Sequence, residues 1–262
     1  MAAFRAFTAL LCVCGGILLP LGRTCAREET LGPLVQVTTP ADEYLGLVHL
    51  GLLVSPENYN GDVSQSIQNV MPSIVQIRTG NLLASGIILE VGEDTLLIAS
   101  NRHQLGQHVY STVSLYNGAQ VSARRVYLSE RYDVGFLLAD ISQLSYEKRA
   151  LLRSVAIQES CNEQLSRGSE IFMVGSTDGV ACNISEGIVA DPWYYFDEFG
   201  SHMLYNYCKA KPGMSGGGTF DVHGHCVGMI TGGYEGETAS LPMGCILEER
   251  QYIPQEQTAE RE

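Results

Sequence analysis

Short apolar runs separated by turn residues recur along this chain from residue 74 to residue 231, with little of the three-to-four spacing that marks an amphipathic helix. Ile74-Val75-Gln76-Ile77 alternates, and Gly80-Asn81 marks a turn. Residues 85–89 and 95–99 read as buried strands around the turn Gly92-Glu93-Asp94. Val113-Ser114-Leu115-Tyr116 runs into Asn117-Gly118, the strongest short hairpin signal, and residues 120–123 leave it. Residues 134–138 form a further strand. A polar, irregular stretch at 141–165 reads as a linker, after which strands are predicted at 170–175, 182–189, 203–208, 218–221 and 226–231. The two halves are of similar size, with about six short strands each, which predicts an all-β chain of two small antiparallel barrels with a cleft between them. Ahead of the strands, residues 64–71 read as a helical turn ended by Pro72. Residues 45–54 fit a strand or a helix, and the charged tail after Leu247 reads as loose.

The N-terminus follows a different pattern. Arg5 precedes an apolar run over 6–19, then Pro20, Gly22 and the small residues Thr24 and Ala26. This is the layout of a secretory signal cleaved after Ala26. A retained membrane anchor is the rival, but the run is short for a span and is broken by Gly15, Gly16 and Pro20. Stable membrane insertion is therefore not expected after cleavage, and the protein is expected to be exported. Cys25 follows Arg23-Thr24 rather than the small apolar residues that precede a lipid-modified cysteine. The implied organisation is a signal at 1–26, a leader of unassigned role at 27–66, a folded region at 67–248 with barrels at about 70–155 and 165–247, and a tail at 249–262.

Composition narrows the function. With 262 residues, 45% of them hydrophobic, the chain can bury one sizeable domain or two small ones. Its net charge is −13, and loss of residues 1–26 removes two arginines and no acid. Such a balance argues against nucleic acid as a partner, because phosphate binding needs clustered Lys and Arg. The spread of the acids along the chain reads as solubility. Of eight cysteines, five lie beyond the signal: Cys161, Cys182, Cys208, Cys226 and Cys245. They allow up to two disulfides and one leftover thiol. No CxxC pair is present, and His223-x-His225-Cys226 lacks a second cluster at zinc-site spacing, so neither metal nor cofactor is expected.

The chemistry centres on Gly213-Met214-Ser215-Gly216-Gly217. A serine hydroxyl is a weak nucleophile at neutral pH. It needs a general base and N–H donors for the oxyanion it creates, and flanking glycines let the backbone turn tightly enough to aim those donors. Among six histidines, His103 stands out, where the apolar run Leu97-Ile98-Ala99 leaves the core through Ser100-Asn101-Arg102. Asp133 opens the apolar run Val134-Gly135-Phe136-Leu137. An acid about to enter a core must be exposed or paired, and a histidine at a barrel rim would satisfy it.

Val70-Met71-Pro72-Ser73-Ile74-Val75-Gln76-Ile77, Ser85-Gly86-Ile87-Ile88, Asn101-Arg102-His103, Asp133-Val134-Gly135-Phe136-Leu137 and Pro212-Gly213-Met214-Ser215-Gly216-Gly217 occur in that order. Together they resemble the protease domain of trypsin-like serine proteases over roughly residues 67–248, and most closely the HtrA/Deg branch. The order His–Asp–Ser, at separations of 30 and 82 residues, matches that branch. The resemblance implies two antiparallel six-stranded barrels with the active site in their cleft, polypeptide substrates, and hydrolysis through an acyl-enzyme. Ser215 would be the nucleophile, His103 the general base and later acid, and Asp133 the group that orients the imidazole. The N–H groups of Gly213 and Ser215 would form the oxyanion hole. Thr231-Gly232-Gly233 would pair with an extended peptide. Lys209, six residues before the nucleophile, would lie at the base of the specificity pocket, where a buried ammonium favours an acidic side chain.

The departures from the family are informative. Arg102 stands where the family usually has a small or amide residue, placed to salt-bridge an acid or to crowd the substrate. Met214 stands where the digestive branch has the aspartate that pairs with a newly cut N-terminus, so that ion pair is not expected. About 15 residues follow Leu247, and no PDZ module is expected among them. A catalytically silent binding protein on the same fold is the alternative reading. The nucleophile-elbow pattern of α/β-hydrolases is also met by Gly213-x-Ser215-x-Gly217, but that fold needs strand–helix alternation and a histidine well after the serine, where only His223 and His225 follow.

Overall fold

The computed structural model describes residues 63–158, 165–177 and 182–254. The expected signal, residues 45–54, Cys161 and residues 255–262 lie outside the described residues, as does the side chain of Cys182. The described chain opens with helix α1 (Val63–Val70) and a 3₁₀ turn (Met71–Ser73) carrying Pro72 in its first turn. This fits the predicted helical turn, because proline lacks the N–H that a continuing helix would use.

Strands β1 (Ile74–Thr79), β2 (Leu82–Val91), β3 (Thr95–Ser100), β4 (Tyr110–Ser114), β5 (Gln120–Leu128) and β6 (Gly135–Asp140) follow, with the four-residue helix α2 (Arg102–Leu105) between β3 and β4. They close into an antiparallel barrel in the order β1-β2-β3-β6-β5-β4. After helix α3 (Tyr146–Ala150), strands β7 (Glu170–Ser176), β8 (Cys182–Phe196), β9 (Ser201–Tyr207), β10 (Gly218–Asp221), β11 (Cys226–Tyr234) and β12 (Glu237–Pro242) close a second barrel in the order β7-β8-β9-β12-β11-β10. Relabelled from its own first strand, each barrel has the same 1-2-3-6-5-4 order, so the two halves repeat one topology. Helix α4 (Met243–Arg250) follows β12 directly.

Burial explains why the central strands read as continuous apolar runs rather than as an alternation. Along β3, Leu96 and Ile98 belong to the cluster filling the first barrel, while Leu97 and Ala99 face a second cluster shared with the other barrel. On β6, Leu137 and Ala139 face inward and Phe136 joins the shared cluster. Both faces of these strands are therefore covered, and a polar residue on either face would be desolvated. Phe172, Phe196 and Phe220 fill the second barrel side of the shared cluster, with Phe172 and Phe220 stacked at 5.3 Å.

The structure corrects several boundaries. Strand β8 continues well past Val189 to Phe196, with register shifts against β9 that bend it over the barrel. Strand β12 carries Glu237-Thr238-Ala239-Ser240, too polar to stand out in sequence, and its Thr238 and Ser240 are nevertheless fully buried. The tail is not loose from 249 onward: Glu249 lies in α4 with 3% of its surface exposed. Three of the five cysteines beyond the signal, Cys208, Cys226 and Cys245, are buried and outside any disulfide, which rules out the two disulfides that five cysteines allow. His223 and His225 organise a turn around Asp221. The N–H groups of both residues donate to Asp221 Oδ1, and the His225 ring sits 2.9 Å from Asp221 Oδ2. No helix among the described residues is long and apolar enough to cross a membrane.

Helix α4 ties the barrels together from behind. Tyr127 on β5 donates to Glu249 Oε2 at 3.0 Å, Arg131 pairs with Glu248, and Arg250 pairs with Glu90 on β2. Burial, with the neighbouring Glu249 carboxylate, pushes the Tyr127 hydroxyl above the usual phenol range. A hydrogen bond to a buried carboxylate contributes about 1.5–3 kcal/mol. Tyr127→Phe is therefore expected to lower the unfolding free energy by roughly that amount. Urea denaturation checks this, and an unchanged midpoint would show that Glu249 finds its partner elsewhere.

Candidate active site

The chain leaves β3 at Ser100 and turns at once into α2, which places His103 at the rim of the first barrel rather than at a strand end. Asp133 arrives from the other side, on the turn between β5 and β6. Its Oδ1 accepts the main-chain N–H of His103 at 2.9 Å, and its Oδ2 lies 2.5 Å from His103 Nδ1. The pair is about three-quarters buried, with side-chain exposures of 24% and 21%. One carboxylate thus fixes both the position of the residue and the orientation of its ring. With Asp133 accepting at Nδ1, the ring nitrogen left to act as a base is Nε2.

The turn that carries Asp133 is held on several sides. Ser129 Oγ accepts the N–H groups of Arg131 and Tyr132 at 3.0 and 2.9 Å. Arg102 donates to the carbonyl oxygens of Ser129 and Glu130 at 2.8 and 3.4 Å. Of its two expected roles, a salt bridge to an acid is not formed among the described residues; the guanidinium caps main-chain acceptors beside the aspartate. Tyr132, desolvated and hydrogen-bonded to Cys245, has its hydroxyl pushed up to about 12, so it stays neutral. Asn101 donates to the Asp133 carbonyl at 3.2 Å and reaches Thr231 Oγ1 at 3.4 Å, which links the aspartate turn to β11 of the other barrel.

Ser215 sits on the loop between β9 and β10, with Gly213 and Gly216 at φ of 90° and 88°, conformations that side-chain-bearing residues rarely adopt. The peptide bonds of this loop point in determined directions. The Met214 N–H donates to Lys211 O at 3.1 Å, Gly216 N–H to Ile230 O at 2.8 Å, and Gly217 N–H to Met214 O at 2.8 Å. The N–H groups of Gly213 and Ser215 donate to no acceptor among the described residues. Because the Met214 carbonyl is taken from the inside by Gly217, the Ser215 N–H of the same peptide unit faces the opposite way. Met214 itself is buried in an apolar cluster with Met173, Cys208 and Ile230.

Strand β11 supplies an edge. Its residues 226–229 pair with β10, whereas Gly232, Gly233 and Tyr234 pair with β12 alone. Gly232 and Gly233 therefore pair with a strand on one side only, next to the nucleophile loop through the Gly216–Ile230 hydrogen bond, while Thr231 is buried against Asn101. Lys209 is exposed rather than buried as expected. The buried residue there is its neighbour Cys208, whose thiol burial pushes above the usual range. Sequence reading also missed Gln104, whose Nε2 stands 2.9 Å from His103 Nε2, and Ser85, which hydrogen-bonds the nucleophile loop. For Gln104 the available signal was its position beside the candidate base, and for Ser85 its place in the motif Ser85-Gly86-Ile87-Ile88.

Residues 84–229 match the model of the trypsin-like peptidase domain, a span that contains His103, Asp133 and Ser215. No curated protein matches the chain. Among solved structures, the chain is similar to the HtrA-type protease AlgW with tripeptide, at a TM-score of 0.64 and 20% identity over 75% of this chain and 64% of that one. It is similar too to the serine endoprotease from Yersinia pestis, at a TM-score of 0.60 and 18% identity over 73% of this chain and 66% of that one. At such identities the likeness is one of fold, and the chain spans less than two thirds of AlgW. The two closed six-stranded barrels and a family match over more than half of the 262 residues agree: the chain belongs to the trypsin-like peptidase domain family.

Proposed function

We propose that the protein is an exported serine endopeptidase that hydrolyses peptide bonds through Ser215, His103 and Asp133. The observation that carries this reading is a convergence. A histidine gripped twice by one carboxylate follows the β3 end whose Ser100 packs against Gly216, and the loop carrying Gly216 leaves the N–H groups of Gly213 and Ser215 without an acceptor among the described residues.

In this reading an extended peptide lies along the open edge at Gly232 and Gly233, with the carbonyl to be cleaved at Ser215. Ser215 Oγ attacks the carbonyl carbon while His103 Nε2 takes its proton. Asp133 stabilises the imidazolium and holds its orientation. The N–H groups of Gly213 and Ser215 bind the developing oxyanion, each worth roughly 10²–10³ in rate. The imidazolium then protonates the leaving amine, and an acyl-enzyme on Ser215 is hydrolysed by water through the reverse sequence. Main-chain pairing along β11 is indifferent to side chains, so it supports polypeptides as a class of substrate. Burial raises the Cys208 and Cys245 thiols above the usual range, which keeps them protonated and resistant to oxidation outside the cytoplasm.

A fluorophosphonate probe is expected to label the folded protein, and Ser215→Ala to abolish labelling and cut peptide turnover by about 10⁶. Unlabelled but well-folded protein would assign the fold to binding alone. Asp133→Asn is expected to lower turnover by about 10⁴ through the wrong tautomer at His103, and a loss below tenfold would remove Asp133 from the mechanism. A Cβ at Gly216 would collide with Ser85 O and Ser100 Oγ, so Gly216→Ala is expected to lose labelling although Ser215 is intact. The secreted form should begin at Arg27, and an intact mass that includes residues 1–26 would overturn signal cleavage.

A further inference from the structure

His103 Nε2 is already occupied. Its hydrogen-bond partner is not Ser215 Oγ, which has no hydrogen-bond partner among the described residues, but Gln104 Nε2 at 2.9 Å. Gln104 is the next residue along α2, and its side chain is buried, with 4% of the residue exposed. It is folded back onto the preceding ring. A carboxamide nitrogen only donates, so the imidazole nitrogen facing it accepts, and the ring proton resides on Nδ1, towards Asp133 Oδ2 at 2.5 Å. The ring is therefore in the tautomer that base catalysis requires, with its single Nε2 lone pair filled by the wrong donor.

We propose that Gln104 is a further residue of the reaction: its carboxamide holds the Nε2 lone pair of His103 in the resting enzyme and must be displaced before Ser215 can be activated. The proposal rests on the triad reading above. The lone pair lies along one direction in the ring plane, so the Gln104 amide and the Ser215 hydroxyl compete for it. The same nitrogen later protonates the leaving amine, so a group bonded to it stands where the leaving side of the peptide must stand. Substrate that fills this side supplies the displacement. Gln104 thereby makes activation depend on the segment after the cleaved bond, and not only on the segment paired with β11.

The test uses the full chain and two readouts. The first is the ¹⁵N resonance of His103 Nε2, observed at a pH where the ring is neutral. Gln104→Met, nearly isosteric and without a donor, is expected to move this resonance, while Ser215→Ala leaves it in place. The reverse result, movement with Ser215→Ala and none with Gln104→Met, overturns the proposal. This readout needs no activity, so it stands even if the triad reading fails. The second is the rate of fluorophosphonate labelling at Ser215. Gln104→Met is expected to raise it about fivefold, the worth of one neutral hydrogen bond. Gln104→Glu keeps the shape but offers an acceptor that holds a proton on Nε2, and is expected to lower the rate below wild type. Equal labelling by all three proteins, with matching melting temperatures, overturns the gate. For peptides, the gain from Gln104→Met is expected to shrink as residues are added after the cleaved bond; a constant gain would show that substrate does not perform the displacement.

Discussion

One buried serine fastens the two barrels together at the point where chemistry is proposed. Ser85 on β2 donates its N–H to Ser215 O at 2.8 Å and its hydroxyl to Gly213 O at 2.7 Å. That hydroxyl also accepts the Ser176 N–H of β7 at 2.8 Å, and Ser85 O accepts from Ser100 Oγ at 2.7 Å. Every polar atom of the residue is thus used, three times across the barrel interface and once within the first barrel. The consequence is directional. With the Gly213 carbonyl drawn toward Ser85 and the Met214 N–H drawn toward Lys211 O, the Gly213–Met214 peptide unit cannot flip without breaking two hydrogen bonds, one of them to the buried Ser85. A buried polar group left unpaired costs about 1–3 kcal/mol, so the loop has one strongly preferred orientation.

The same economy governs the other half of the site. Asp133 spends one oxygen on the His103 main chain and the other on its ring. A carboxylate used this way locates the backbone of α2 as well as the imidazole, which matters because α2 has only four residues and little stability of its own. Arg102 then supports the acid indirectly, by capping the carbonyls of Ser129 and Glu130. A cation next to a proposed catalytic histidine would ordinarily be read through its charge. Here its donors satisfy main-chain acceptors, and it acts as scaffolding.

Much of this was legible in the chain because the fold rests on apolar strands. The runs at 95–99 and 134–138 are buried on both faces, so they stand out whatever the register, and they place His103 and Asp133 at adjacent strand ends of one barrel. The glycines around Ser215 are equally visible, since positive φ excludes most other residues. What could not be read has a common cause: polar residues buried by pairing with a distant partner. Thr238 and Ser240 hide β12 inside a polar sequence, Glu249 is buried only because Tyr127 lies opposite, and Ser85 looks like any strand serine until the nucleophile loop docks on it. Lys209 failed in the opposite direction. Counting back from Ser215 assigns a loop position but not the side that faces inward, and the inward residue is Cys208.

Met214 and Gln104 together move the point of control within the site. In the digestive branch of the family, as the resemblance implies, an aspartate at the position of Met214 waits for a new N-terminus, and the oxyanion loop is what activation completes. In this chain Met214 is already buried among Met173, Cys208 and Ile230, and Ser85 holds the adjoining carbonyl, so the loop requires no external charge to take its shape. A formed loop beside a free base would leave the enzyme without restraint. The occupied Nε2 of His103 supplies one, at the cost of a single neutral hydrogen bond rather than a buried ion pair. Such a restraint is weak enough for a peptide to displace on binding, and it slows, without preventing, the reaction of a small electrophile that brings no leaving segment. Control by displacement at the base, with the oxyanion loop already set, is the arrangement these two residues favour.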